Sequence, residues 1–303
     1  MGFKAQSKKK QPALKTAGRD SGRSKTVRRA ADEDFSADNV SAEKSPAKTK
    51  KKSSKASKII TSVLIVIAIG VFVFSLLQII TIMGEYKAGR DEYDRIAQDT
   101  VVSGDSGYLL VNYGNLMSIN SDFKGWLDIP GTNVSYPIVH TAVDNDTYLH
   151  TTFEKKANSA GSIFVDCRSD PTFTQPVTVI YGHHMKDGSM FNNVVKFMDK
   201  AFWEEHKEVH IYTREGIMIY DVFSAYTASI EDECYVFGYI DQSAYNSWIN
   251  NAVSKSNYNT GITPSVDSRS IILSTCVSGG PETEDSRHVL IATLREIIDN
   301  PTV

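Results

Sequence analysis

A cysteine, an arginine and a histidine carry the chemistry open to this chain. Leu273-Ser274-Thr275-Cys276-Val277 ends a run rich in strand formers, so Cys276 is expected at or just past a strand end. Arg287 follows eleven positions later and opens a second strand-like run over residues 288–294. If the two runs pair as neighbours, a thiol and a guanidinium meet at one end of a sheet. A histidine from elsewhere would complete a set suited to acyl transfer: thiolate nucleophile, general acid/base, and a fixed cation for the oxyanion. The competing reading of Cys276 is a buried structural thiol, the commoner fate of a free cysteine.

Of the seven histidines, His183 and His184 stand out. They follow Val179-Ile180-Tyr181-Gly182 and precede the turn signal Met185-Lys186-Asp187-Gly188. A histidine at such a strand-to-loop junction is placed to reach a neighbouring strand end; the alternative is a solvated loop histidine. His140, His150, His206, His210 and His288 fall in expected strands, a helix end or surface turns. By strand alternation His288 points to the face opposite Arg287.

The elements that must position these groups are short strands with Gly and Pro between them. Strands are expected over 125–129, 134–139, 161–166, 176–182, 209–213, 218–228, 270–275 and 288–294. Helices are expected over 85–98, 108–119, 190–196, 201–206 and 241–255. The last is the clearest, with Tyr245, Trp248, Ile249 and Ala252 on one face. Short strands without sustained βαβ alternation point to a mainly β fold with peripheral helices, built as a closed or nearly closed barrel. No internal repeat is present.

Charge divides the chain. Residues 1–58 hold 17 Lys+Arg against 6 Asp+Glu, a net of +11, and the rest holds 16 against 30, a net of −14. The basic tail has almost no large apolar residues and is expected to be disordered. Residues 59–83 are uncharged and dominated by Ile, Val, Leu and Phe, long enough to span a bilayer. The Lys/Arg-rich flank before them places the N-terminus in the cytoplasm. The expected organisation is therefore a cytoplasmic tail (1–58), a single transmembrane helix (59–83), a juxtamembrane helical linker (84–107) and an extracytoplasmic domain (108–303). The acidity of that outer part reads as a soluble surface. Three cysteines leave two readings open: a Cys167–Cys234 disulfide with Cys276 free, or three reduced thiols. With no CxxC or HExxH, no zinc site is expected.

Over about residues 108–294 the chain resembles class B sortases, the membrane-anchored cysteine transpeptidases of Gram-positive bacteria. The resemblance rests on an ordered set of short motifs: Gly125-Trp126-Leu127, Gly131-Thr132, Tyr136-Pro137, Asp144-Asn145, Tyr148-Leu149, Gly161-Ser162-Ile163-Phe164 with Asp166 and Arg168, Tyr181-Gly182-His183-His184-Met185, and Leu273-Ser274-Thr275-Cys276 with Arg287. The helix over 241–255, ahead of the cysteine strand, also fits that subtype. The resemblance implies a closed eight-stranded sortase-type β-barrel with Cys276 as nucleophile, His183 as general acid/base and Arg287 as the oxyanion and substrate-orienting residue. Asn145, Leu149, Tyr181, Ser274 and Thr275 match positions that line the groove for the sorting signal. No metal or other cofactor is implied.

The implied reaction cleaves a C-terminal sorting signal of secreted proteins through a thioester. It then transfers the acyl group to an amine on a peptidoglycan precursor or on a pilin lysine, and no nucleic acid is involved. Two departures stand out. Val277-Ser278 replaces the acidic pair that follows the cysteine in some relatives, and the 277–286 connection is Gly-rich, then acidic. The rival readings are a pilin polymerase, a cysteine hydrolase of cell-wall peptides and a non-catalytic surface binding protein.

Overall fold

The computed structural model describes residues 54–238, 240–277 and 283–300. The expected basic tail, apart from residues 54–58, and the Gly279-Gly280-Pro281 segment lie outside these. The described chain opens on a single 46-residue helix, α1 (Lys55–Thr100). Over residues 59–83 its large apolar side chains are exposed on every side, and among the described residues it is the one helix long and apolar enough to cross a membrane. Further on, burial becomes one-sided. Gly89, Glu92, Tyr93, Ile96 and Thr100 recur at helical spacing and face protein. Tyr93 and Ile96 enter the same core as the barrel strands.

After α1 comes a hairpin that the sequence reading missed. Strands β1 (Val101–Ser103) and β2 (Leu109–Val111) pair antiparallel around Gly104-Asp105-Ser106-Gly107. The helix expected from residue 108 starts instead as α2 (Tyr113–Ile119), where Asn112 caps it by accepting from the Asn115 N–H at 3.0 Å. The Gly104 N–H donates to the Tyr108 carbonyl at 2.8 Å, closing the hairpin.

Eight strands close the barrel: β3 (Phe123–Asp128), β4 (Ser135–Val139), β5 (Ile163–Val165), β6 (Val177–Tyr181), β7 (Glu208–Thr213), β8 (Gly216–Ser229), β9 (Ser270–Cys276) and β10 (Ser286–Ile298). Their order around the wall is β10-β8-β7-β3-β4-β5-β6-β9, and β9 pairs back onto β10. The joints β4/β5 and β6/β9 are parallel and the others antiparallel. Two short helices, α3 (Asn192–Lys196) and α4 (Lys200–Glu205), lie between β6 and β7. β8 and β10 run longer than their apolar patterns suggest. At Arg295-Glu296 a polar pair interrupts the apolar pattern of β10, and Arg295 is held by Glu208 and Asp221, each at 2.7 Å.

Helix α5 (Gln242–Lys255) covers one outer face of the wall. Asp241 caps it, accepting from the Ala244 N–H at 2.8 Å. Tyr245, Trp248, Ile249 and Ala252 pack on Val177, Val179, Phe223, Ile272, Val289 and Ile291. Each large apolar side chain buried here contributes about 1.5–3 kcal/mol, which is why a helix otherwise rich in Asn and Ser docks on this wall. The wall beneath the site is thus packed on both sides.

Candidate active site

Strands β9 and β10 pair with Arg287 directly opposite Cys276, His288 opposite Thr275 and Val289 opposite Ser274. Directly opposed residues share a face of the sheet, so the thiol and the guanidinium rise from the wall together. His288 faces the other way, as alternation requires, and its Nδ1 lies 3.2 Å from Thr227 Oγ1.

The histidine arrives by a different route. Parallel pairing of β6 with β9 sets Tyr181 level with Ser274, and the Gly182 N–H extends the ladder to the Ser274 carbonyl at 3.2 Å. Two residues past Tyr181, His183 therefore comes up beside the end of β9. Gly182 allows this approach: a Cβ there would sit 2.5 Å from Ile163 Cδ1 and 2.7 Å from the Phe191 ring.

His183, Cys276 and Arg287 line one cleft of about 300 Å³. Asn145, Leu149, Tyr181, Ser274 and Thr275 line it too, so all eight residues singled out in the sequence meet there. The His183 Nε2 lies 2.7 Å from the Leu149 carbonyl. A carbonyl can only accept, so Nε2 carries the proton and Nδ1 is left to gain or lose one. Burial holds the His183 pKa below its usual 6.5, and the neighbouring His150, ring centroids 6.1 Å apart, pushes the same way; the Leu149 hydrogen bond opposes both. Neutral imidazole is thus favoured at pH 7.

Arg287 Nη1 donates to the carbonyls of Glu284 at 2.7 Å and Ser286 at 2.8 Å. Among the described residues Nε and Nη2 have no partner and no carboxylate pairs with the guanidinium. It is a cation anchored from behind, with donors to spare. Cys276 is exposed, and its carbonyl lies 3.3 Å from His184 Nδ1.

Residues 127–295 match the Sortase domain family. The chain is 31% identical over 219 residues to sortase B of Listeria monocytogenes, covering 70% of this chain and 88% of that protein. It is 28% identical over 240 residues to sortase B of Staphylococcus aureus, covering 78% and 96%. The chain belongs to the class B sortases. Its fold also resembles the solved Staphylococcus aureus sortase B–substrate complex, with a TM-score of 0.60 at 27% identity, over 70% of this sortase and 98% of that chain. It is accordingly a cysteine transpeptidase of the kind that anchors surface proteins, and the rival readings are not favoured.

Several residues that line the sortase cleft carried no role in the sequence reading: Phe164, Arg168, Ile230, Tyr235 and Phe237. Arg168 grips the fully buried Asp166 through Nε at 2.9 Å and Nη2 at 2.8 Å, and its guanidinium lies 3.5 Å from the Phe237 ring centroid. Burial alone would raise the Asp166 carboxyl, but these bonds and one from Asn145 at 2.9 Å hold it below the usual range. Asn145 spends the other end of its amide accepting from the Cys167 N–H at 2.8 Å, so its side chain braces the cleft floor. Tyr235 and Ser274 hydroxyls lie 2.9 Å apart, whereas the buried Thr275 Oγ1 has no partner among the described residues. A basic residue two positions from an acidic one was a visible signal for the Asp166–Arg168 pair. Nothing local announced Tyr235 or Phe237, which lie between β8 and α5.

All three cysteines of the sortase are unpaired, which decides between the two readings left open above. Burial pushes the Cys234 thiol up to about 12, so it stays protonated and inert. Among the described residues no group of three or more His, Cys, Asp or Glu side chains is placed to hold a metal ion.

Proposed function

We propose that Cys276 is the nucleophile, His183 the general acid/base and Arg287 the oxyanion donor of a transpeptidation on C-terminal sorting signals of secreted proteins. An ordinary thiol is only a few per cent ionised at neutral pH, so a neighbouring base is needed. Neutral His183 takes the thiol proton as the sulfur attacks the threonine carbonyl of the signal. The oxyanion then forms against the spare N–H groups of Arg287. Imidazolium returns the proton to the departing amine, the C-terminal fragment leaves and a thioester remains. An incoming amine attacks that thioester and gives its proton to His183, and the thiolate departs to leave a new amide. The acceptor amine belongs to a peptidoglycan precursor.

Asn145, Leu149, Tyr181, Ser274 and Thr275 are proposed to shape the groove for the signal. Residues 59–83 are proposed to cross the cell membrane once, with the basic N-terminus in the cytoplasm and the barrel outside. This organisation would bring the cleft to substrates that are themselves held at the membrane.

What supports this reading most directly is the register that sets Arg287 opposite Cys276, with His183 lining the same cleft. The test incubates the full-length chain in detergent with fluorogenic sorting peptides, with and without a peptidoglycan-type amine. Cleavage with incorporation of the amine is expected. Cleavage to the free acid alone, unaffected by amine, would sink the transfer step.

A further inference from the structure

The loop that carries His183 is closed on itself and tied at its tip to α1. At its base the His183 carbonyl accepts from the Phe191 N–H at 2.9 Å, and His184 bridges Met190. At its tip Asp187 Oδ1 accepts from the Ser189 N–H at 3.1 Å and hydroxyl at 2.6 Å, while the Gly188 N–H donates to the Met185 carbonyl at 3.2 Å. Such a loop moves as one piece, so a force on Asp187 is felt at His183. The Asp187 side chain is only 12% exposed, and its Oδ2 makes no hydrogen bond among the described residues. Among the described residues the one cation paired with it is Arg90 of α1, at 3.4 Å.

Around this pair the packing is open. A cavity of about 150 Å³ separates α1 from the loop, lined by Arg90, Tyr93, Asp94, Tyr136, Asp187 and Met190. The loop is also held to the barrel, where the Met190 N–H donates to the Tyr136 hydroxyl at 2.9 Å and Asn133 donates to the Gly188 carbonyl. Tyr93 of α1 meets the Tyr136 ring edge-on at 5.4 Å; the ion pair is the direct charged contact between helix and loop tip. The opposite side of His183 is tied to the same helix. Tyr93 donates to the Gly161 carbonyl at 2.6 Å and accepts from the Phe153 N–H at 3.2 Å. The Ser162 N–H in turn holds the Tyr148 carbonyl at 2.9 Å, next to the Leu149 carbonyl that orients the imidazole.

We infer that Arg90 is a positioning residue for His183, acting through Asp187, so that the docked turns of α1 belong to the working site. The inference rests on the proposed role of His183 as acid/base. Arg90 is not among the residues lining the cleft, so its loss should alter turnover rather than substrate affinity. A misplaced acid/base costs rate steeply.

The test uses the full-length chain in detergent and reads kcat and KM for peptide cleavage. Arg90→Met is expected to lower kcat about tenfold with KM within about twofold, and Arg90→Lys to recover most of the loss. Asp187→Asn should fall similarly, and the double variant no further than either single one, because the two act through one contact. Unchanged kcat in both single variants, with His183→Ala inactive, would overturn this inference and leave the proposed function standing. Wild-type kcat in His183→Ala would overturn the proposed function first. If Arg90→Met is too unstable to assay, Asp187→Asn decides alone: lowered kcat at unchanged KM supports the inference, and wild-type kcat overturns it.

Discussion

Cys276 and Arg287 stand on strands, whereas His183 stands on a loop, and the two parts of the site are held by different physics. The strand pair is fixed by a ladder of backbone hydrogen bonds running the length of β9, with packed apolar layers on both faces. Side-chain identity at the tip does little to that frame. Beyond Gly182 the histidine has only the Phe191 N–H on its carbonyl and the bridge from His184 to Met190. The Leu149 carbonyl holds its ring, Gly182 leaves room for it, and by the inference above the Arg90–Asp187 pair steadies its loop. Substitutions on the strands should therefore remove chemistry without disturbing the fold, and substitutions around the loop should disturb geometry and proton affinity together.

Four measurements would break or sharpen this contrast. Cys276→Ala should cut transpeptidation by about 10⁴-fold or more while the thermal midpoint stays put, since an exposed strand-end side chain packs against little. Substantial turnover in that variant would remove the nucleophile assignment. Arg287→Lys should cost about 10²–10³-fold in kcat, because an ammonium cannot present a planar fork to the oxyanion; melting again should not change. Gly182→Ala is the loop-side counterpart. Its methyl has to displace Ile163 or Phe191, so a loss of about 1–3 kcal/mol in denaturant unfolding should accompany a fall in activity. Full stability would show that the approach of loop to barrel is looser than the distances imply.

The smallest effect concerns pH. In the proposed mechanism protonated His183 cannot accept the thiol proton, so activity falls as pH drops through its pKa. Burial lowers that pKa, which puts the acid limb of kcat/KM below pH 6.5. Replacing His150 with Gln removes a like charge that also lowers it, and the limb should move upward. A limb that does not move would show that the titration belongs to another group.

The same contrast explains what was readable before any coordinates. The strand half of the site was, because Ile271-Ile272-Leu273 and Val289-Leu290-Ile291 are unbroken apolar runs, as expected of strands buried on both faces. Pairing of neighbours in sequence then follows almost by default. The loop half was legible only as a histidine after a strand. That β6 lies parallel to β9, ninety-odd residues on, is a long-range choice that leaves no local trace. Tyr235 and Phe237 were missed for the same reason. The β1–β2 hairpin was misread because Leu109-Leu110-Val111 beside Tyr113 suits either period, and only the Gly104–Tyr108 contact selects the strand. In β10, residues 295–298 were left out because Arg295-Glu296, held by ion pairs, interrupt the apolar pattern.

The unbroken run of α1 has a mechanical corollary. With residues 59–83 in lipid, as proposed, Arg90 stands only seven positions past the last of them, roughly 10 Å of stiff rod. The catalytic head would then ride at a fixed altitude above the bilayer and turn only as its mast turns. Clients would have to bring their scissile bond to that height, a geometric filter that operates before any side chain is recognised.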